Sequence, residues 1–242
     1  MTLFSADGWL FLLRWFHFLA GIVWIGMLYY FNFVQTPYFA TAEAPVRSGM
    51  LAGGLVGRAL WWFRWGAMLT FITGWLIILH KIGQLGGVRG FLNTSYGWAI
   101  GTGGVLGSLM WFNVWFVIWP RQKVVLESAT QVAKGGQAIP DAAAKGQRAG
   151  FASRTNTLLS VPMLFFMGAA SHLTLFAGTT TTGKWGMLVL LVVILALIEL
   201  NALAGTAGPT KKLLSTVSGT LWAGFILTAT LWVLFLILFP QV

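Results

Sequence analysis

The apolar residues of this chain come in six membrane-length blocks, roughly Trp9–Phe33, Ala59–Ile82, Tyr96–Trp119, Leu158–Phe176, Lys184–Ala204 and Leu214–Phe239. A helix rises about 1.5 Å per residue, so each block is long enough to cross about 30 Å of hydrocarbon. The pattern predicts an all-α, polytopic membrane protein: a six-helix transmembrane bundle forming one membrane domain over residues 1–242. The third block does not stop cleanly. Pro120 is expected to kink its helix without ending it, and Val124–Lys134 reads as a helical extension. Gly135, Gly136 and Pro140 then predict a turn, with Asp141 as N-cap of a helix that runs through Ala142–Ala144 towards the fourth block. Residues 120–156 are thus expected to form a basic helical hairpin outside the membrane. The remaining connections are short, a glycine-rich one at 83–95 and a threonine run at 178–183.

Composition strengthens the membrane reading. Of 242 residues 57% are hydrophobic and 8% charged, with mean hydropathy +0.80, values foreign to a soluble domain of this length. The 14 tryptophans and 19 phenylalanines suit interfacial belts and the walls of a flat-cofactor pocket. A net charge of +10 would fit nucleic acid in another setting, but here the basic residues lie between apolar blocks and set topology. Eleven of them, from Arg47 to Lys212, fall in the connections after the first, third and fifth blocks. The other four are Arg14, Lys81, Arg89 and Lys184. By the positive-inside rule both termini are expected outside, on the periplasmic side of a bacterial inner membrane. Met1–Asp7 has no basic n-region or small-residue cleavage site, so the first block is expected to be retained. With no cysteine, the chain itself cannot hold disulfides, thiolate-ligated clusters or covalently attached c-type haem.

Chemistry enters with the first block, which places His17 among apolar residues. Arg14 lies three residues before it, and Gly21 and Trp24 follow at i+4 and i+7, so all four share one helical face. An ionisable side chain inside a bilayer marks a site by default. The alternating topology puts His17, His80 and His172 all in the outer half of the membrane. Imidazole is a common axial ligand of haem iron, and haem b needs no cysteine. His17 and His172 are therefore the expected ligand pair, with Arg14 one turn nearer the outer water as a clamp for a propionate. His80 is placed to serve a second haem or a propionate, or simply to rest at the interface. For His17 and His172 the bland alternative is a neutral ring bonded within the bundle. Met110, Met163 and Met167 are alternative ligands, although methionine in a membrane core usually packs. Glu199, in the inner half of the fifth block, is expected to be neutral, paired with a base such as Arg64, or part of a proton path. Asn32 and Asn113 are candidates for bonds between helices. Small residues in the third block (Gly101, Gly103, Gly104, Gly107) and the fourth (Gly168, Ala169, Ala170) allow close packing of helices or of a flat ligand.

The run Leu13-Arg14-Trp15-Phe16-His17, with Ala20-Gly21-Ile22-Val23-Trp24-Ile25-Gly26 and Leu28-Tyr29-Tyr30-Phe31-Asn32-Phe33, resembles the membrane domain of the bacterial cytochrome c-linked urate oxidases. Arg58-Ala59-Leu60-Trp61-Trp62-Phe63-Arg64-Trp65-Gly66-Ala67 is similar to that family's second helix. The resemblance covers about the first eighty residues and is general in character beyond them. It implies an oxidoreductase module of the urate oxidase (urate hydroxylase, dehydrogenase) type. In the family a periplasmic cytochrome c domain follows the membrane part. This chain ends at Pro240-Gln241-Val242 without a Cys-x-x-Cys-His, so a separate cytochrome c or a larger respiratory or oxidase complex is expected to take the electrons. The residues also accommodate two other functions. One is a cofactor-free structural or assembly subunit that uses its small-residue faces and basic hairpin. The other is a proton-coupled transporter that relays protons through Glu199 and the histidines. The lipid bilayer is a partner in every case, and nucleic acid in none.

Overall fold

A computed structural model describes residues 2–205 and 207–241. Every regular element among them is helical: α1 (Ala6–Thr41), α2 (Ala44–Ala52), α3 (Leu55–Gln84), α4 (Val88–Phe91), α5 (Ser95–Ala133), α6 (Ala142–His172), α7 (Thr181–Leu203), α8 (Pro209–Ser215) and α9 (Val217–Leu238). Five of these, α1, α3, α5, α7 and α9, are long and apolar enough to cross a membrane.

The fourth expected span, α6, is long enough at 31 residues but differs in composition. The reason is its place. α6 is the central helix, packed against α5 and α9 most extensively and also against α7 and α1. Thr155, Asn156, Thr157 and Ser160 on it are fully buried. A helix surrounded by protein need not be apolar all round, whereas α7 turns Trp185, Val189, Val192, Leu197 and Leu200 outward, as contact with lipid requires. α6 also ends at His172, so Leu173–Phe176, expected to be helical, is extended connection.

Helix starts repeat one device. Ser5, Thr94, Thr180 and Thr216 each accept a hydrogen bond from the N–H of a glycine three residues on, at 2.9–3.2 Å. The glycine matters because a Cβ at Gly97 would lie 1.9 Å from the Phe91 carbonyl oxygen, and one at Gly183 2.2 Å from that of Leu238. The second case seats the start of α7 directly on the end of α9. Asp141 does occupy an N-cap position, but it adopts φ 65° and its side chain makes no capping bond.

Both longest helices contain a widened π turn, Tyr30–Gln35 in α1 and Asn113–Ile118 in α5. Each ends two residues before a proline, Pro37 or Pro120. A proline ring crowds the carbonyl four residues back, and i→i+5 geometry relieves that crowding without ending the helix. Hence α5 passes through Pro120 and forms, with the first part of α6, the expected hairpin. Each π turn also contains a buried asparagine. Asn32 donates to the Leu28 carbonyl and to Ser153 Oγ on α6, both at 2.8 Å. Asn113 donates to Asn156 Oδ1 on α6 and to Glu199 Oε2 on α7, both at 3.0 Å. Pro162 similarly leaves the Leu158 carbonyl without an intrahelical donor. A Cβ at Gly224 of α9 would lie 2.8 Å from that oxygen, so the two helices meet there without a side chain between them.

On the basic side, Arg148 donates to the Leu203 carbonyl at the end of α7, where a cation also complements the helix dipole. Lys211 is buried with its Nζ 5.1 Å from the centre of the Phe151 ring. Burial, with a smaller contribution from the Arg148 charge, pushes its ammonium below the usual lysine range.

Candidate functional site

A cavity of about 640 Å³ opens between α1, α3, α5 and α6. Its wall includes Arg14, His17, Gly21 and Trp24 from α1 and His172 from the end of α6. Five of the six predicted site residues therefore share one chamber, although 155 positions separate the two histidines in sequence. His80 is not on that wall; its neighbours Ile77 and Ile78 are. His80 Nε2 is buried without a hydrogen-bond partner among the described residues.

The His17 ring is held in a defined way. Its Nδ1 lies 3.1 Å from Thr73 Oγ1 on α3. That hydroxyl is itself 2.7 Å from the Leu69 carbonyl and 3.2 Å from the Thr70 carbonyl, and it has one proton to give. With that proton spent on a backbone oxygen, Thr73 can only accept from the imidazole. The arrangement selects the tautomer with hydrogen on Nδ1 and leaves Nε2 with a free lone pair, the state a metal-ligating histidine needs. Gly74 makes room for the ring, since a Cβ there would stand 2.9 Å from His17 Cε1.

Glycines line the rest of the chamber at Gly21, Gly26, Gly104, Gly107 and Gly168. A Cβ at Gly104 would come within 2.9 Å of Ile78 Cδ1, while one at Gly107 would be 3.4 Å from Met163 Sδ. Met163 and Met167 are on the wall and Met110, an alternative ligand by sequence, is not. Trp24 is 2% exposed, and its indole N–H lacks a partner among the described residues. Nearest the start of α1 the wall carries the exposed Arg14, and Tyr96 of α5 is another wall residue.

These features fit a flat, largely apolar group with an acidic edge and a metal at its centre. The donor set is two imidazoles rather than a cluster, and no group of three or more His, Cys, Asp or Glu suited to a metal occurs among the described residues. Axial ligation of a porphyrin iron asks for only two such donors.

Thr73, Gly74 and Tyr96 were not foreseen from sequence. Depth matching would have found the first. α1 and α3 run in opposite directions, and His17 lies as far from Ala6 as Thr73 does from Gln84.

Glu199 is away from this chamber. Its Oε2 accepts from Asn113, and its Oε1 is buried without a partner among the described residues. Arg64, a partner suggested by sequence, instead places its guanidinium 3.8 Å from the centre of the Trp119 ring and 5.3 Å from that of Trp115. The structure therefore does not bring Glu199 together with the histidines, as a relay through all of them would need.

A family model described as urate oxidase N-terminal matches residues 92–232, more than half of the chain. The chain belongs to the urate oxidase N-terminal family. The match runs from the start of α5 into α9 and so contains Tyr96, Gly104, Gly107, Met163 and His172. Arg14, His17, Gly21, Trp24 and His80 lie outside the matched residues. The family is the one that the first block resembles, but it is established on the other half of the molecule. No curated protein and no solved structure matches the chain.

Proposed function

We propose that this multi-pass member of the urate oxidase N-terminal family is a haem b protein that carries electrons near the outer face of a bacterial inner membrane. The observation that carries the reading is the shared wall: His17 and His172, 155 positions apart in sequence, line one glycine-rich cavity with Arg14 at its outer end. His17 Nε2 and His172 would ligate the iron, Gly21 and Trp24 would flank the macrocycle, and Arg14 with Tyr96 would hold a propionate. Bound there, a haem supplies one-electron transfer. The chain's own contribution is to fix the His17 tautomer through Thr73, to exclude water with an apolar wall, and to set the group's edge at the outer surface.

In this reading α6 is a span as well, the fourth of six in chain order, both termini are outside, residues 1–242 form one membrane domain, and the 120–156 hairpin lies in the cytoplasm. A cytochrome c or a larger respiratory complex takes the electrons, and the module serves an oxidation of the urate oxidase type. Absorption and magnetic circular dichroism spectra of purified variants test the ligand pair. His17→Ala and His172→Ala should each lose the six-coordinate low-spin signature, whereas His80→Ala should keep it. A signature unchanged in either of the first two would remove that histidine from the site.

A further inference from the structure

The tryptophan-rich stretch of α3, Trp61-Trp62-Phe63-Arg64-Trp65, takes no part in the histidine chamber. It lies at the hairpin end of the bundle, against α5 just before Pro120. Arg64 is stacked there on two indoles, those of Trp119 at 3.8 Å and Trp115 at 5.3 Å. Trp115 in turn meets Trp65 edge-on at 5.5 Å, and Trp65 touches Trp61 at 6.3 Å, so four tryptophans from two helices surround one guanidinium. Stacking commits its face, and Nε is shut off from the surroundings without a partner. The residue as a whole is only half-buried, which leaves the Nη edge as the part it offers outward.

Nothing in the protein answers that edge. The one ion pair among the described residues is Lys123–Glu127 at 3.8 Å, and Glu199 is engaged by Asn113. Aromatic rings alone do not replace the hydrogen bonds a guanidinium forgoes on leaving water, so the edge asks for an anionic oxygen. The surroundings decide where that oxygen comes from. Trp61 and Trp65 are exposed on a membrane-length helix, and tryptophan collects at the level of lipid headgroups. Leu69 and Ile72, four and seven residues beyond Trp65, share its helical face and are exposed as well. An apolar stripe thus leads from the arginine towards the middle of the bilayer, as an acyl chain requires and a free anion does not. With no carboxylate bonded at the cluster, a headgroup that also carries an ammonium finds no partner for it, which favours a headgroup of net negative charge.

We propose that the α3–α5 face at the hairpin end binds an anionic phospholipid, its phosphate on the Nη edge of Arg64 within the four tryptophans and one acyl chain along Leu69 and Ile72. The site shares no residue with the histidine chamber and stands or falls apart from haem binding.

The test uses the purified full-length protein, stripped of lipid in neutral detergent at about 0.15 M salt, where charges beyond about 8 Å are screened. It is titrated with phosphatidylglycerol, phosphatidylcholine and inorganic phosphate, and bound molecules are counted by native mass spectrometry. Phosphatidylglycerol should bind, phosphatidylcholine at least about fivefold more weakly, and inorganic phosphate not measurably. Arg64→Gln should weaken phosphatidylglycerol binding at least about fivefold, while the lipid-free melting temperature holds because an unpaired cation is removed. Trp119→Leu keeps the cation but removes the ring that holds it, and should weaken binding about twofold or more. Arg58→Gln takes the same charge from the same end of α3 and should change affinity less than about twofold. His17→Ala should leave lipid binding unchanged. Absence of phosphatidylglycerol from the folded wild-type protein, or equal binding of phosphatidylcholine or inorganic phosphate, would overturn the proposal. So would equal losses in Arg64→Gln and Arg58→Gln, or an Arg64→Gln protein that melts well below wild type.

Discussion

His17 depends on two neighbours that carry no charge. Thr73 supplies the acceptor that fixes its tautomer, and Gly74 supplies the space for its ring. Outer-shell partners of a metal ligand typically contribute about 10–100-fold to affinity. Thr73→Val, nearly isosteric but without the hydroxyl, should therefore lose haem about tenfold faster to apomyoglobin in a transfer assay, and Thr73→Ser should restore retention. Equal transfer rates in wild type and Thr73→Val would show that the tautomer is fixed some other way. Gly74→Ala should disturb the ligand, because its Cβ would need the ring to move from 2.9 Å. Gly83→Ala, with nothing within 4 Å of the added carbon, should leave the spectrum unchanged. At this scale the two histidines were legible in sequence, but the residues that hold the His17 ring were not. A lone histidine in an apolar block is conspicuous, whereas a threonine bonded to its own helix looks like any other until the facing helix is placed.

The long helices are held to α6 by a few polar contacts in an otherwise apolar bundle. Asn156 accepts from Asn113 at 3.0 Å and donates to the Met110 carbonyl at 2.9 Å, one turn above the π segment of α5. Asn156→Leu removes both bonds and leaves buried groups unpaired, which should cost about 1–3 kcal/mol in a detergent unfolding titration. An unfolding midpoint within error of wild type would mean that apolar packing alone holds α5 against α6. Gly224→Val should also destabilise by about 1–3 kcal/mol, since its Cβ meets the Leu158 oxygen and Val161 at 2.8 Å with no room to yield. Five of the apolar blocks, the passage through Pro120 and the hairpin turn were legible in sequence because each follows from local composition. The π turns were not, because they answer a contest between a proline and an existing helix. The end of α6 at His172 was also hidden: Leu173–Phe176 is apolar like the helix before it, and its course is set by contacts such as the Leu175 N–H bonded to Ser95 Oγ at 2.8 Å.

Across the whole molecule, one end of the bundle holds the histidine chamber and the other holds most of the basic charge. Orientation therefore decides which side of the membrane the histidine chamber faces. The chain has no cysteine, so single cysteines report topology without background. In intact cells a membrane-impermeant maleimide should label Val88→Cys, in the connection between α3 and α5, and should spare Gln137→Cys in the hairpin until the cells are permeabilised. The reverse pattern would place the histidines in the inner half and remove a periplasmic electron acceptor. Whether the chamber holds haem is decided by one optical experiment. The purified protein is recorded as isolated and after dithionite reduction, and its pigment is extracted for a pyridine haemochrome. A haem held by His17 and His172 should give a Soret band that shifts on reduction, a sharpened α band of bis-histidine type, and haem b in the extract. A protein expressed with ample haem supply that shows no Soret band and yields no haemochrome would contradict it.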